Sequence, residues 1–79
     1  MEIKVLGPGC LKCQQTEKNV KEAVRESGAD AKVDKVSDVM EIAKYGALGT
    51  PAVVVDGNVK SVGKIPEKQE IITWVKQSL

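Results

Sequence analysis

The first apolar residues, in "EIKVL" (2–6), stop at Gly7-Pro8-Gly9, a cluster that neither a strand nor a helix keeps in its interior. A strand is predicted before it. Beyond it the apolar period changes: Cys13, Val20 and Val24 recur at helical spacing with Ala23 beside them, which predicts a helix over Leu11–Ser27 ended by Gly28. On that helix Cys13 points inward, and Cys10 sits off the open N-terminal end. "AKVDKV" (31–36) alternates imperfectly, and its mixture of lysine and aspartate with alanine and valine suits a short strand at a sheet edge. Ser37 is placed to cap a second helix through "DVMEIAKY", with Val39, Ile42 and Ala43 as its buried face and Gly46 at its end.

In "GTPAVVVDGNVKSVG" the continuous apolar run "AVVV" predicts a buried strand, Asp56-Gly57 a two-residue hairpin turn, and "NVKSV" an antiparallel return. Pro66 then opens a last helix at its first turn, packed down by Ile71, Ile72, Val75 and Leu79, with Trp74 off that stripe and partly exposed. The order is βαβαββα. Its first βαβ unit demands a parallel pair with a right-handed crossover, and the hairpin adds antiparallel strands to the same sheet. The expected fold class is α/β, a four-stranded mixed sheet flanked by three helices.

Composition adds bounds. A chain of 79 residues has room for one small domain, over residues 1–79, and 42% hydrophobic with 29% charged residues is ordinary globular content. Twelve basic against eleven acidic residues give a net charge of +1 without a one-sign tract, so nucleic acid is not an expected partner. A strand follows Met1 at once, and nothing approaches the roughly 18 apolar residues that span a bilayer, so no membrane partner and a cytoplasmic location are expected.

The chemistry lies in "GPGCLKC" (7–13). A disulfide between Cys10 and Cys13 would close so short a loop that it could barely restrict the unfolded chain, which makes a structural staple a poor explanation. Closely spaced thiols in a reducing compartment serve redox or metal chemistry instead. A thiol must ionise before it can attack a disulfide, and at a helix N-terminus the unpaired N–H groups and the dipole stabilise the thiolate. Cys10 has that location, with Lys12 as an added cation; Cys13, about one turn on, can resolve a mixed disulfide formed at Cys10. Leu11 points away from the buried stripe, either beside the sulfur where a partner docks or packed into the loop. Thr16 and Glu17 are expected to reach solvent; the other reading has them assisting proton transfer at Cys13.

Thr50-Pro51 precedes the buried strand. Proline at the start of a central strand calls for a special reason. A cis bond supplies one, turning the chain and leaving the Thr50 backbone open to an extended substrate, although trans is the ordinary state of such a bond.

"CLKC" between the first strand and first helix, followed downstream by "GTPAVVVDG", resembles the thioredoxin-like superfamily, in which a CxxC faces a cis-proline loop. With "GPGCLKC", "LGTPAVVVDG" and the closing "VGKIP", the chain is similar over essentially its whole length to the small thioredoxin-like or glutaredoxin-like redox proteins of archaea and bacteria. The resemblance implies a thiol–disulfide oxidoreductase with Cys10 as nucleophile, Cys13 as resolving thiol, Pro51 as the cis proline, Thr50 contacting substrate backbone, and Gly63 letting backbone approach the site. It implies no bound cofactor, disulfide-containing proteins or small thiols as substrates, an unidentified reductase or thiol as electron donor, and a monomer. The chain lacks the tryptophan before the first cysteine, the Gly-Pro between the cysteines, a buried aspartate beneath the site and the paired glycines of glutaredoxins, so neither glutathione nor thioredoxin reductase is assigned as donor.

Three rivals exist. "VLGPGCLKCQQTEKNV" also resembles the heavy-metal-associated domain, whose two thiolates suit copper(I). That family, however, follows its first helix with two hairpin strands and ends on a strand. A closed zinc site would need two chains to share the metal, because two cysteines without histidine supply half the usual ligands. A noncatalytic scaffold of the same fold would need neither thiol.

Overall fold

A computed structural model describes residues 1–9, 11–46 and 49–77; Cys10, and with it part of the CxxC, lies outside the described residues, as do Leu48 and Leu79. The elements are β1 (Glu2–Leu6), α1 (Leu11–Ser27), β2 (Lys32–Val36), α2 (Val39–Lys44), β3 (Ala52–Val55), β4 (Asn58–Val62) and α3 (Lys68–Gln77). The strands form one mixed sheet in the order β2-β1-β3-β4, with β1 and β2 parallel and the other pairs antiparallel. This is the predicted thioredoxin-like α/β arrangement.

Period-two alternation divides the core between the two sheet faces. Ile3, Val5, Val53 and Val55 face α1 and α3, where they meet Val20, Ala23, Ile71, Ile72 and Val75. Leu6, Ala52 and Val54 face the other way, against Ile42, with Val36 and Tyr45 at the margin. Helices on both faces explain why β3 is buried at every position and reads as an unbroken apolar run. Each fully buried Val, Leu or Ile contributes about 1.5–3 kcal/mol from removal of apolar surface, so the short central strands hold much of the stability.

The turns follow local chemistry. Asp56 and Gly57 have φ of 47° and 84°, the two positive values a tight hairpin turn of this hand requires. Asp56 also ties the hairpin to β1, accepting the Glu2 N–H at its carboxylate (2.8 Å) and donating its own N–H to the Glu2 carbonyl (2.8 Å).

At the helix starts the structure departs from expectation. Asp38, not Ser37, caps α2, its Oδ1 accepting the Met40 N–H at 2.9 Å, where a carboxylate suits the positive end of the helix. The buried face of α2 is Ile42 with half-buried Tyr45; Val39 is 69% exposed and Ala43 is exposed as well. A helix this short is oriented by what grips it, and the grip comes from Lys4, whose ammonium donates to the Tyr45 hydroxyl at 2.8 Å and sits 5.5 Å from the ring centroid. That bond is the leading cause of a Lys4 pKa above its ordinary value. Likewise α3 begins at Lys68, beyond the predicted start at Pro66. Glu67 occupies the cap, its carbonyl accepting the Ile71 N–H (3.2 Å) and its N–H donating to Glu70 (3.4 Å), half of a capping box. Pro66 is buried and serves as a strut, its carbonyl accepting from the Asn19 amide of α1 at 3.0 Å.

Two stability predictions follow from these contacts. The Glu70 carboxyl is held below its ordinary value of 4.5, first by the Lys64 ammonium (3.1 Å) and then by the Glu67 N–H. Its stabilising effect is therefore present above the ordinary value and lost as pH falls through the depressed folded value. Glu70→Gln should lower the urea midpoint at pH 7 and flatten its decline on acidification, read from unfolding curves at both pH values. Ser61 is buried on β4 with a hydroxyl that has no hydrogen-bond partner among the described residues. Ser61→Ala should be neutral or stabilising by up to about 1 kcal/mol in the same assay, since an unsatisfied buried hydroxyl costs more than it returns.

Candidate active site

The site begins where β1 and β2 end. Gly7 follows Leu6, whose partner across β3 is Ala52, the residue after Pro51. The Gly7 N–H donates to the Val36 carbonyl at 2.8 Å, which extends the parallel pairing one step past the strand. That register brings the end of β1 beside the start of β3, so the first turn of α1 and the Thr50-Pro51 loop meet over one residue.

Gly7 is the meeting point because it has no side chain. A Cβ built there would run into Cys13 Sγ, lie 3.0 Å from Cys13 Cβ and reach 4.0 Å from Thr50 Cβ. Cys13, the third residue of α1, is fully buried on the inward stripe with Thr16, Val20 and Ala23. Its sulfur thus fills the space a larger residue at position 7 would take. Gly7, read from the sequence only as part of a breaker cluster, is the site residue that sequence reasoning missed; a glycine close before a CxxC was the available signal.

The Thr50–Pro51 peptide bond is cis, Pro51 is buried and Thr50 is half-buried. The Pro51 carbonyl accepts the Gly63 N–H at 2.9 Å, so Gly63, with φ of 75°, closes the far side of the loop. Gly49 packs on it; a Cβ there would stand 3.5 Å from Gly63 Cα. Of the residues singled out from the sequence, Cys13, Thr50, Pro51 and Gly63 are therefore gathered at one end of the sheet.

At the tip of α1, Leu11 is 82% exposed, which rules out the loop-packing reading of that side chain. Lys12 is exposed, and the first turn carries no acidic residue, so the positive helix end is not offset there. Thr16 does not reach solvent as expected: it is buried, and its hydroxyl donates to the Lys12 carbonyl at 2.8 Å, bracing the first turn. Glu17 is half-buried and pairs with Lys21 at 3.3 Å. No group of three or more His, Cys, Asp or Glu that could hold a metal occurs among the described residues.

The family model of the thioredoxin domain matches residues 1–76. The chain is 47% identical over 77 residues to a thioredoxin of Methanocaldococcus jannaschii, covering 98% of this chain and 88% of that one. It is 41% identical over 71 residues to a thioredoxin of Methanothermobacter thermautotrophicus, covering 90% and 92%. The chain belongs to the thioredoxin family. It is accordingly a thiol–disulfide oxidoreductase. Nothing in these likenesses supports copper carriage, and the fold argues against it, since α2 separates β2 from β3 and α3 follows the last strand.

Gly7→Ala should destabilise the protein by about 1–3 kcal/mol, the usual cost of forcing a methyl into a filled site. In the Gly7→Ala/Cys13→Ala double variant the combined loss should be smaller than the sum of the two singles, because removing the sulfur makes room. Urea unfolding of the four proteins measures the coupling; strict additivity would show that the sulfur and the glycine are not in contact.

Proposed function

We propose that this protein reduces disulfides through Cys10 and Cys13, in a single domain over residues 1–79, without a bound cofactor. The Cys10 thiolate attacks one sulfur of a substrate disulfide, forming a mixed disulfide and expelling the other substrate sulfur as a thiolate. Cys13 then attacks Cys10, forming the intramolecular disulfide and releasing the second substrate sulfur. Two electrons have moved to the substrate, and a dithiol or reductase donor restores the protein.

The observation that carries this division of labour is the complete burial of Cys13 against Gly7. A sulfur so enclosed is out of reach of a folded substrate and suits the second, intramolecular step. Cys10, just before the first turn of a long helix without an acidic residue in that turn, suits the first. Lys12 adds a cation there. Leu11 offers the substrate an exposed apolar side chain. Thr50 presents backbone to an extended substrate segment, and Pro51 with Gly63 holds that loop in place.

Disulfide-bearing proteins are the substrates, and the protein acts as a cytoplasmic monomer. No helix among the described residues is long and apolar enough to cross a membrane, which is compatible with that location.

Cys10→Ser and Cys13→Ser should each abolish turnover of a protein disulfide such as that of insulin. With Cys13→Ser, mass spectrometry should find the substrate covalently held at Cys10. Retained turnover in Cys10→Ser, or no adduct in Cys13→Ser, would overturn the assignment.

A further inference from the structure

Lys35 lies near the C-terminal end of β2, the edge strand next to β1. Val33 packs into the core beneath α1, and by strand alternation Lys35 emerges on that same face at the C-terminal end of β2. Its ammonium reaches the loop ahead of α1: a Cβ built on Gly9 would lie 3.7 Å from Lys35 Nζ. Gly9 is the residue covalently preceding Cys10. The Gly9 carbonyl in turn accepts from the Gln14 amide at 3.3 Å, which ties this loop to the first turn of the helix.

No carboxylate pairs with Lys35 among the described residues. The nearby acids are engaged elsewhere. Asp34 points to the opposite face of the sheet, where Lys32 approaches it at 3.9 Å, and Asp38 accepts the Met40 N–H at 2.9 Å. Lys12, in the first turn of α1, is another exposed cation, and no acidic residue lies in that turn. With a net charge of only +1, the whole chain provides no strong long-range field, so the positive charge at this loop is a local feature.

We propose that Lys35 is a specificity-determining residue that favours disulfide substrates carrying carboxylates next to the scissile sulfurs. The proposal rests on the oxidoreductase reading above. An ammonium at this position attracts an anionic substrate during approach and in the encounter complex, and repels a cationic one. The covalent steps stay those already described: each substrate disulfide takes two electrons from the Cys10–Cys13 dithiol and leaves as two thiols.

The test uses full-length protein, reduced beforehand and freed of reductant, in single-turnover reactions with three small disulfides: dithiobis(nitrobenzoate), a dianion; bis(hydroxyethyl) disulfide, neutral; and cystamine, a dication. The quantity read is the ratio of the dianion rate to the dication rate. It should fall about threefold in Lys35→Gln and about tenfold in Lys35→Glu, the size expected of an exposed charge acting at short range. Lys60→Glu makes the same change in net charge on β4 at the opposite edge of the sheet and should leave the ratio within about twofold. In the wild type, raising the salt concentration should shrink the ratio.

A purely structural role for Lys35 would slow all three disulfides together and leave the ratio unmoved, and that result would overturn the proposal. So would a Lys60→Glu effect as large as that of Lys35→Glu. A reduced wild type inert even to the neutral disulfide would instead overturn the oxidoreductase reading itself.

Discussion

The close contact between the Cys13 sulfur and the bare backbone of Gly7 is the constraint on which the site depends. It lets α1 come down onto the end of β1 with no side chain between them, so that the third residue of the helix is fully buried while the first is almost fully exposed. Within one helical turn the side chains of α1 pass from solvent at Leu11 to full burial at Cys13. Access and charge decide what a thiol does, and the packing of α1 on Gly7 gives the Cys13 sulfur a fully enclosed setting.

The sheet makes that contact possible by register. Parallel pairing of β1 with β2 continues through the Gly7 N–H to Val36, while antiparallel pairing of β1 with β3 sets Leu6 opposite Ala52. Two chain segments far apart in sequence, the loop before α1 and the loop before β3, are thus delivered to the same end of the sheet. Thr50 and Cys13 both come up to the side-chain position of Gly7. On the far side Gly63 holds the Pro51 carbonyl, and Gly49 rests against Gly63. Of the three glycines at these junctions, Gly7 is the one whose missing side chain the packing requires, while Gly63 answers to its positive φ of 75°.

Away from the site, stability is distributed asymmetrically. The face covered by α1 and α3 holds the larger cluster of buried aliphatic residues; the face covered by α2 holds few. The small helix on the thin face is oriented as much by the Lys4–Tyr45 hydrogen bond as by packing of Ile42, and it leads into the loop that carries Thr50. Polar contacts therefore matter more to the geometry of that half of the molecule than its short apolar segments would suggest.

What the sequence determined by itself is what depends on local chemistry. The change of apolar period located β1, α1, β3, β4 and the hairpin turn, because strand alternation, helical recurrence and the positive φ of Asp56-Gly57 are properties of short segments. The thiol spacing, and with it the reaction class, was equally legible. Tertiary structure alone decided the rest. Val39 and Ala43 were read as buried and are not, since a helix of under two turns takes its orientation from Lys4 on another strand. The burial of Thr16, the role of Gly7 and the place of Lys35 beside Gly9 were hidden for the same physical reason: each depends on which side chain arrives from a distant segment, and that is set by strand register and by how closely the layers pack.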